Sequence, residues 1–281
     1  MIYITCFLSS VFFAYLASRS KDKGVRVLCS IISIMIPSVV GGLRSYRVGA
    51  DSYGYGFRLS TQALGSPSLF DFLAASPTEP GCAVLFYLGA HLSGSYTGAF
   101  FLFEVITMTC FYIGAYKHRK LIPLPMTMLM FYFILYLRTY NEIRQSIAAA
   151  IIFMGVDSLE NKNYFKFSIY IAVGTLFHYS AIIAFVLLLG FHVLTTSENY
   201  VNNYAYRMTI ILGTVVSLLF AFPIMRVILG SLPFTQKYIY YLEHRTGAYN
   251  ATGKTYIAIS LGELLMFAFY RKGAKKVLMG K

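Results

Sequence analysis

Tryptophan is absent, and acidic residues are scarce: 11 Asp and Glu stand against 24 Lys and Arg. Charged residues make up only 12% of the chain, where a soluble domain carries about 25%. That shortage argues against a water-exposed globule. Cysteine is also sparse. Cys6, Cys29, Cys82 and Cys110 form no close pair, which excludes a zinc ribbon or a disulfide framework and leaves buried thiols. There is no P-loop, no HExxH and no Cys/His metal spacing. There is no GxSxG elbow either; Gly94-Ser95-Tyr96-Thr97-Gly98 is a small-residue turn. No acidic cluster offers a divalent-metal site. The start, Met1-Ile2-Tyr3, has neither a basic n-region nor a cleavage site and reads as the beginning of a first membrane helix.

What is abundant is apolar. Hydrophobic residues reach 57% and mean hydropathy is +0.62. They come in blocks near the roughly 20 residues that span a bilayer. The expected fold is an all-α polytopic membrane protein, a single transmembrane domain over residues 1–281. Phe and Tyr make 17% of the chain, so Tyr must supply the interfacial belt that Trp usually shares. The net charge of +13 sits in short loops, as the positive-inside rule requires; nucleic acid is not an expected partner.

Spans are expected at 2–18, 27–43, 97–116, 121–138, 146–159, 208–230 and 255–270. Loop 19–26, with Arg19, Lys21, Lys23 and Arg26, belongs inside, which puts the N-terminus outside. Lys117-His118-Arg119-Lys120 also belongs inside. Segment 81–94 is too short to cross comfortably and would break that parity, so it is expected as a re-entrant or half-buried helix, tolerated where protein or a wet cavity surrounds it. Segment 165–194 is expected to rise and return as two short helices with His178 at the apex. The sum is about nine crossings, with the C-terminus inside after Arg271-Lys272-Gly273-Ala274-Lys275-Lys276. Loops 44–80, 138–145 and 231–254 then share the outer face.

Those loops collect the chemistry. Arg44 and Arg47 are three apart and share a face if the preceding helix continues. With Arg144 they suggest an anion site, because Arg binds phosphate oxygens bidentately; headgroup snorkelling is the bland alternative. Asp51 either pairs with Arg47 or acts on a substrate hydroxyl. Glu79, before Pro80-Gly81, is either a helix-start carboxylate or a general base. Glu142 is placed to neutralise Arg144 or Arg138. His178, before Tyr179 and Ser180, is either a satisfied core residue or a base. Glu104 and Glu263 lie mid-span and Asp157 near an inner end, each alone in sequence, with Arg226 a conceivable partner.

The ordered set Gly42-Leu43-Arg44, Arg47-x-Gly49-x-Asp51 with Tyr53 and Tyr55, Glu79-Pro80-Gly81, Asn141-x-x-Arg144-Gln145 with the following alanines, and Phe177-His178-x-Ser180-Ala181 resembles the EpsG family of Wzy-like exopolysaccharide and capsule polymerases. The resemblance covers about residues 1–245. Cys82 departs from it, where an aromatic is usual. Family members also run longer, so a short or C-terminally truncated variant is expected. The resemblance implies a multi-pass protein of the bacterial cytoplasmic membrane. It implies polymerisation of oligosaccharide repeat units carried on undecaprenyl diphosphate, with a lipid pyrophosphate as leaving group, no metal and no cofactor. Chain-length regulator and flippase proteins are implied partners beside membrane lipids. In that scheme Arg44, Arg47 and Arg144 take the pyrophosphate. His178 is the first choice of base, with Asp51 or Glu79 next, and Tyr53, Tyr238 and Tyr241 line a sugar groove. A transporter or flippase of lipid-linked oligosaccharide, and a related glycan ligase or acyltransferase, remain open as alternatives.

Overall fold

The computed structural model describes residues 1–196. Spans 208–230 and 255–270, loop 231–254 with Tyr238 and Tyr241, and the charged residues Arg226 and Glu263 lie outside the described residues. The described chain is helical, with no strand. Its α-helices are α1 (Ile2–Arg19), α2 (Lys23–Gly42), α3 (Phe57–Leu64), α4 (Leu69–Ala75), α5 (Pro80–Ser93), α6 (Tyr96–Lys117), α7 (Leu124–Ile134), α8 (Ile143–Glu160), α9 (Tyr164–Thr175) and α10 (Ala184–Thr196). A π-helical turn covers Ser52–Gly56, and 3₁₀ turns cover Tyr136–Tyr140 and Tyr179–Ile183. Among them α1, α2 and α6 are long and apolar enough to cross a membrane.

Local chemistry fixes these boundaries. Asp22 caps α2 by accepting the Val25 N–H at 2.7 Å. Pro80 opens α5, and Gly94, at φ 66°, closes it. Segment 165–194 breaks as its polar centre predicts: α9 ends at Thr175, His178 is extended, and α10 begins at Ala184. Phe167 and Ile171 of α9 pack with Ala184 of α10 in one small cluster.

A polar knot ties α1, α2 and α7 together. Pro37 lies inside α2 and has no N–H, so the carbonyl of Ser33, four residues earlier, loses its helical donor. Ser10 of α1 supplies the missing bond at 2.6 Å, and Tyr132 of α7 contacts the same Ser10 hydroxyl. Tyr136 donates to the Pro37 carbonyl. In an apolar surrounding each unsatisfied backbone group costs several kcal/mol, on the order of 2–7, so these hydroxyls set the register of the three helices.

The unit has two distinct ends. At one end α2 finishes, with Gly42 packed on Phe101 of α6 and Gly41 on Glu104. At the other end Lys117 of α6 pairs with Asp157 of α8 at 2.8 Å. Helix α5 extends about 21 Å, at 1.5 Å per residue. It begins against the end of α9 and finishes against the first turn of α6, where Gly89 and Ala99 meet backbone to backbone. It therefore stays in the half that holds Arg44 and does not reach Lys117. Its Cys82, Phe86 and Ala90 are fully buried.

Candidate functional site

Three helix ends converge at Glu79. The first is the start of α5. Its Gly81 N–H donates to the Leu176 carbonyl just beyond α9 at 2.8 Å, and the Cys82 thiol donates to the Phe177 carbonyl at 3.1 Å. Carbonyls at a helix end lack intrahelical donors, so α5 satisfies what α9 leaves open. A Cβ on Gly81 would stand 2.8 Å from the Leu176 oxygen, so the contact needs glycine. This splice brings Glu79 to His178, whose Nδ1 lies 3.0 Å from Glu79 Oε1.

The third end is the start of α8. Arg144 Nη1 donates to Glu79 Oε2 at 2.7 Å, and Arg144 Nε donates to the Tyr55 hydroxyl at 3.1 Å. Tyr55 in turn donates to Asp51 Oδ2 at 2.9 Å. The same Asp51 oxygen accepts the Ile143 N–H at 3.0 Å, capping the first turn of α8 from a loop far away in sequence. Asn141 answers by accepting the Ala50 N–H at 2.9 Å. Gly49, at φ +99°, lies in the left-handed region, and a Cβ there would collide with the Tyr140 carbonyl. One chain of contacts thus runs Asp51, Tyr55, Arg144, Glu79, His178.

The electrostatics follow. Burial pushes the Glu79 carboxyl up, but the His178 hydrogen bond and the Arg144 charge outweigh it and hold it at about 2, from an ordinary 4.5. Burial raises the Asp51 carboxyl above its ordinary value despite the bonds from Tyr55 and Ile143. Burial, and then the Asp51 charge, push the Tyr55 phenol well up. Glu79 is 2% exposed, whereas the Arg144 and His178 side chains keep 29% and 17% exposure. The carboxylate is inside, and its two partners reach outward. Among the described residues His178 Nε2 has no hydrogen-bond partner.

Other expected residues are placed differently. Helix α2 stops at Gly42, so Arg44 and Arg47 do not share a helix face. Arg44 turns inward and is 5% exposed. It pairs with Glu104 at 3.2 Å, donates to Ser52 at 3.2 Å, and sits between the rings of Phe100 and Tyr140, 4.4 and 4.1 Å from their centres. An outward-facing Arg44 is thus replaced by a buried ion pair, because Glu104, solitary in sequence, needs a cation at that depth. Arg47 is exposed with its guanidinium over Tyr46. Asp51 bonds Tyr55 and Ile143, not Arg47, whereas Glu142 pairs with Arg138, one of its two expected partners, at 3.3 Å. Tyr53 is 66% exposed and stacks on Tyr46, which also stacks on Phe57 and meets Tyr96 edge-on. Sequence reasoning gave Tyr55 no site role. Its spacing four after Asp51, one helical turn, was the available signal. No group of three or more metal-ligating side chains occurs among the described residues.

Among curated proteins and among solved structures, no significant match to the chain exists. The model of the EpsG family matches residues 27–277, so it begins later than the sequence resemblance and runs beyond residue 245. The span holds every member of the Glu79 constellation, and the chain is a membrane protein that belongs to the EpsG family, a family associated with polysaccharide biosynthesis.

Proposed function

We propose that the chain polymerises lipid-linked oligosaccharide repeat units by metal-independent glycosyl transfer at the outer face of the cytoplasmic membrane. The observation that carries this reading is the Glu79 carboxylate, which holds Arg144 with one oxygen and His178 with the other. An acceptor at Nδ1 fixes the imidazole with its proton there and leaves Nε2 as the basic nitrogen. Nε2 takes the proton of the acceptor hydroxyl as that oxygen attacks the anomeric carbon. The bond from that carbon to the undecaprenyl pyrophosphate oxygen breaks, and negative charge develops on the leaving group. Arg144, already fixed by Glu79 and Tyr55, presents its remaining N–H edge to that charge, with the exposed Arg47 beside the same loop. Arg44 serves as a positioning residue, since its buried pair with Glu104 and its bond to Ser52 anchor the turn that carries Asp51 and Tyr55. The rings of Tyr46, Tyr53, Phe57 and Tyr96 form a stacking surface for a sugar.

Purified protein supplied with lipid-linked repeat units tests this directly, with product size read on a gel. Elongated product from the native chain and none from His178→Ala support the reading. Unelongated repeat units from native protein overturn it in favour of a transporter.

A further inference from the structure

We propose that Arg19 and Arg119 form a binding site for the phosphate of an anionic phospholipid, at the end of the described unit opposite Glu79. Helix α1 runs from Tyr3, which lies against Tyr140 near Arg44, to Arg19 at its far end. Arg119 follows the last turn of α6, beyond Lys117. The two arginines line one cleft of about 400 Å³, walled by Tyr15, Ser18 and the turn Pro123–Pro125.

The cations around this end are treated unequally. Lys117 is neutralised by Asp157 at 2.8 Å, and His118 faces Glu160 at 3.2 Å. Among the described residues neither Arg19 nor Arg119 has a carboxylate partner. Both are nevertheless held in place. Arg19 lies over the Tyr15 ring, 5.6 Å from its centre. Arg119 lies 3.8 Å over Tyr116 and donates Nη1 to the Tyr116 carbonyl at 2.6 Å. Two prearranged guanidiniums with no carboxylate partner among the described residues, both from residues that line one cleft, match the paired oxygens of a phosphodiester.

The rest of the wall selects a lipid over a free phosphate. Tyr15, Pro123 and Pro125 give the cleft an apolar side against which glycerol and the first acyl carbons pack, and α1 itself is long and apolar enough to cross a membrane. A free phosphate would engage only the two exposed charges, an attraction that salt screens. This site is independent of the sugar chemistry proposed above.

The test uses the full chain purified in neutral detergent, with lipid binding followed by native mass spectrometry. The probes are phosphatidylglycerol, phosphatidylcholine and inorganic phosphate. Phosphatidylglycerol should bind at least fivefold better than phosphatidylcholine and resist millimolar phosphate. Arg19→Ala/Arg119→Ala should lose that preference, Arg19→Lys/Arg119→Lys should retain part of it, and Lys162→Asn/Lys166→Ala should retain all of it. The proposal fails if the double alanine variant binds phosphatidylglycerol like the native chain, if the lysine-loop variant loses as much, if phosphatidylcholine binds equally, or if phosphate displaces the lipid. Thermal melting checks the fold of each variant; should the double alanine variant melt early, Arg119→Gln alone carries the comparison.

Discussion

Asp51 accepts the backbone N–H of Ile143 at 3.0 Å, so a carboxylate from one loop caps a helix that starts 92 residues later. The same oxygen receives the Tyr55 hydroxyl, which receives Arg144. The start of α8 is therefore built from two distant stretches of chain, and Arg144 is aimed by residues that precede it by nearly a third of the sequence.

Removing either outward-facing partner of Glu79 should stop chain growth. His178→Ala and Arg144→Ala should each lower polymerisation by about 100-fold or more, within the range for a general base or a charge-stabilising donor. Both proteins should remain in the membrane, and single-repeat lipid-linked units should accumulate. Normal polymer length in both variants would sink the polymerase reading.

Tyr55→Phe removes one hydroxyl and little volume. It cuts the bridge between Asp51 and Arg144 while leaving Glu79 and His178 paired. We expect turnover to fall by about tenfold or more because Arg144 loses an orienting partner, and the melting temperature to fall modestly, in keeping with loss of a hydrogen bond to a charged group worth about 1.5–3 kcal/mol. An unchanged rate would show that Arg144 needs only Glu79 to hold its place.

Glu79 ties stability to acid. Its carboxyl sits at about 2 in the folded chain, below its ordinary 4.5. A depressed carboxylate contributes its full stabilisation above the ordinary value and loses it as pH falls toward the folded value. The difference corresponds to roughly 3 kcal/mol. Melting temperature in detergent should therefore drop between about pH 4.5 and pH 2, and Glu79→Gln should flatten that part of the curve. A variant with the native acid slope would assign the slope to other carboxylates.

The inner pair is structural in a different way. Glu104→Ala leaves Arg44 buried without its counter-charge, which costs about 3–5 kcal/mol. The variant should melt early or fail to accumulate, and Arg44→Met/Glu104→Met should recover much of the loss because two apolar groups replace two charges. If Glu104→Ala melts like the native chain, Arg44 has another route to neutralisation.

The splice of α5 onto α9 makes a sharper claim about backbone. Gly81→Ala puts a methyl group against the Leu176 carbonyl, so the N–H bond between the two helix ends must lengthen. Activity should fall together with melting temperature, because the same bond that joins the helices carries Glu79 to His178. Full activity in Gly81→Ala would show that this contact does not set the pairing.

Several features were legible from residue order alone. Apolar runs gave α1, α2 and α6, the short run at 81–94 gave a helix too brief to cross, and the polar break at His178 gave two helices where one long run stood. Glu79, Arg144, His178 and Asp51 stood out because charge beside apolar runs is costly. The partners were not legible. Arg44 looked like a surface anion ligand and is instead paired with Glu104, since a periodic pattern shows which face of a helix is apolar but not which helix lies opposite. Arg44 and Arg47 seemed to share a face only if α2 continued, and it stops at Gly42.

The sequence by itself determined that this chain carries helices long and apolar enough to cross a membrane, α1, α2 and α6 among the described residues, and which charged residues stand beside apolar runs, because hydropathy, charge cost and glycine or proline punctuation act locally along the chain. Only the tertiary structure decided that Glu79 joins Arg144 to His178. That junction depends on three helix ends meeting, and their open backbone groups and charges find partners only after distant segments have packed.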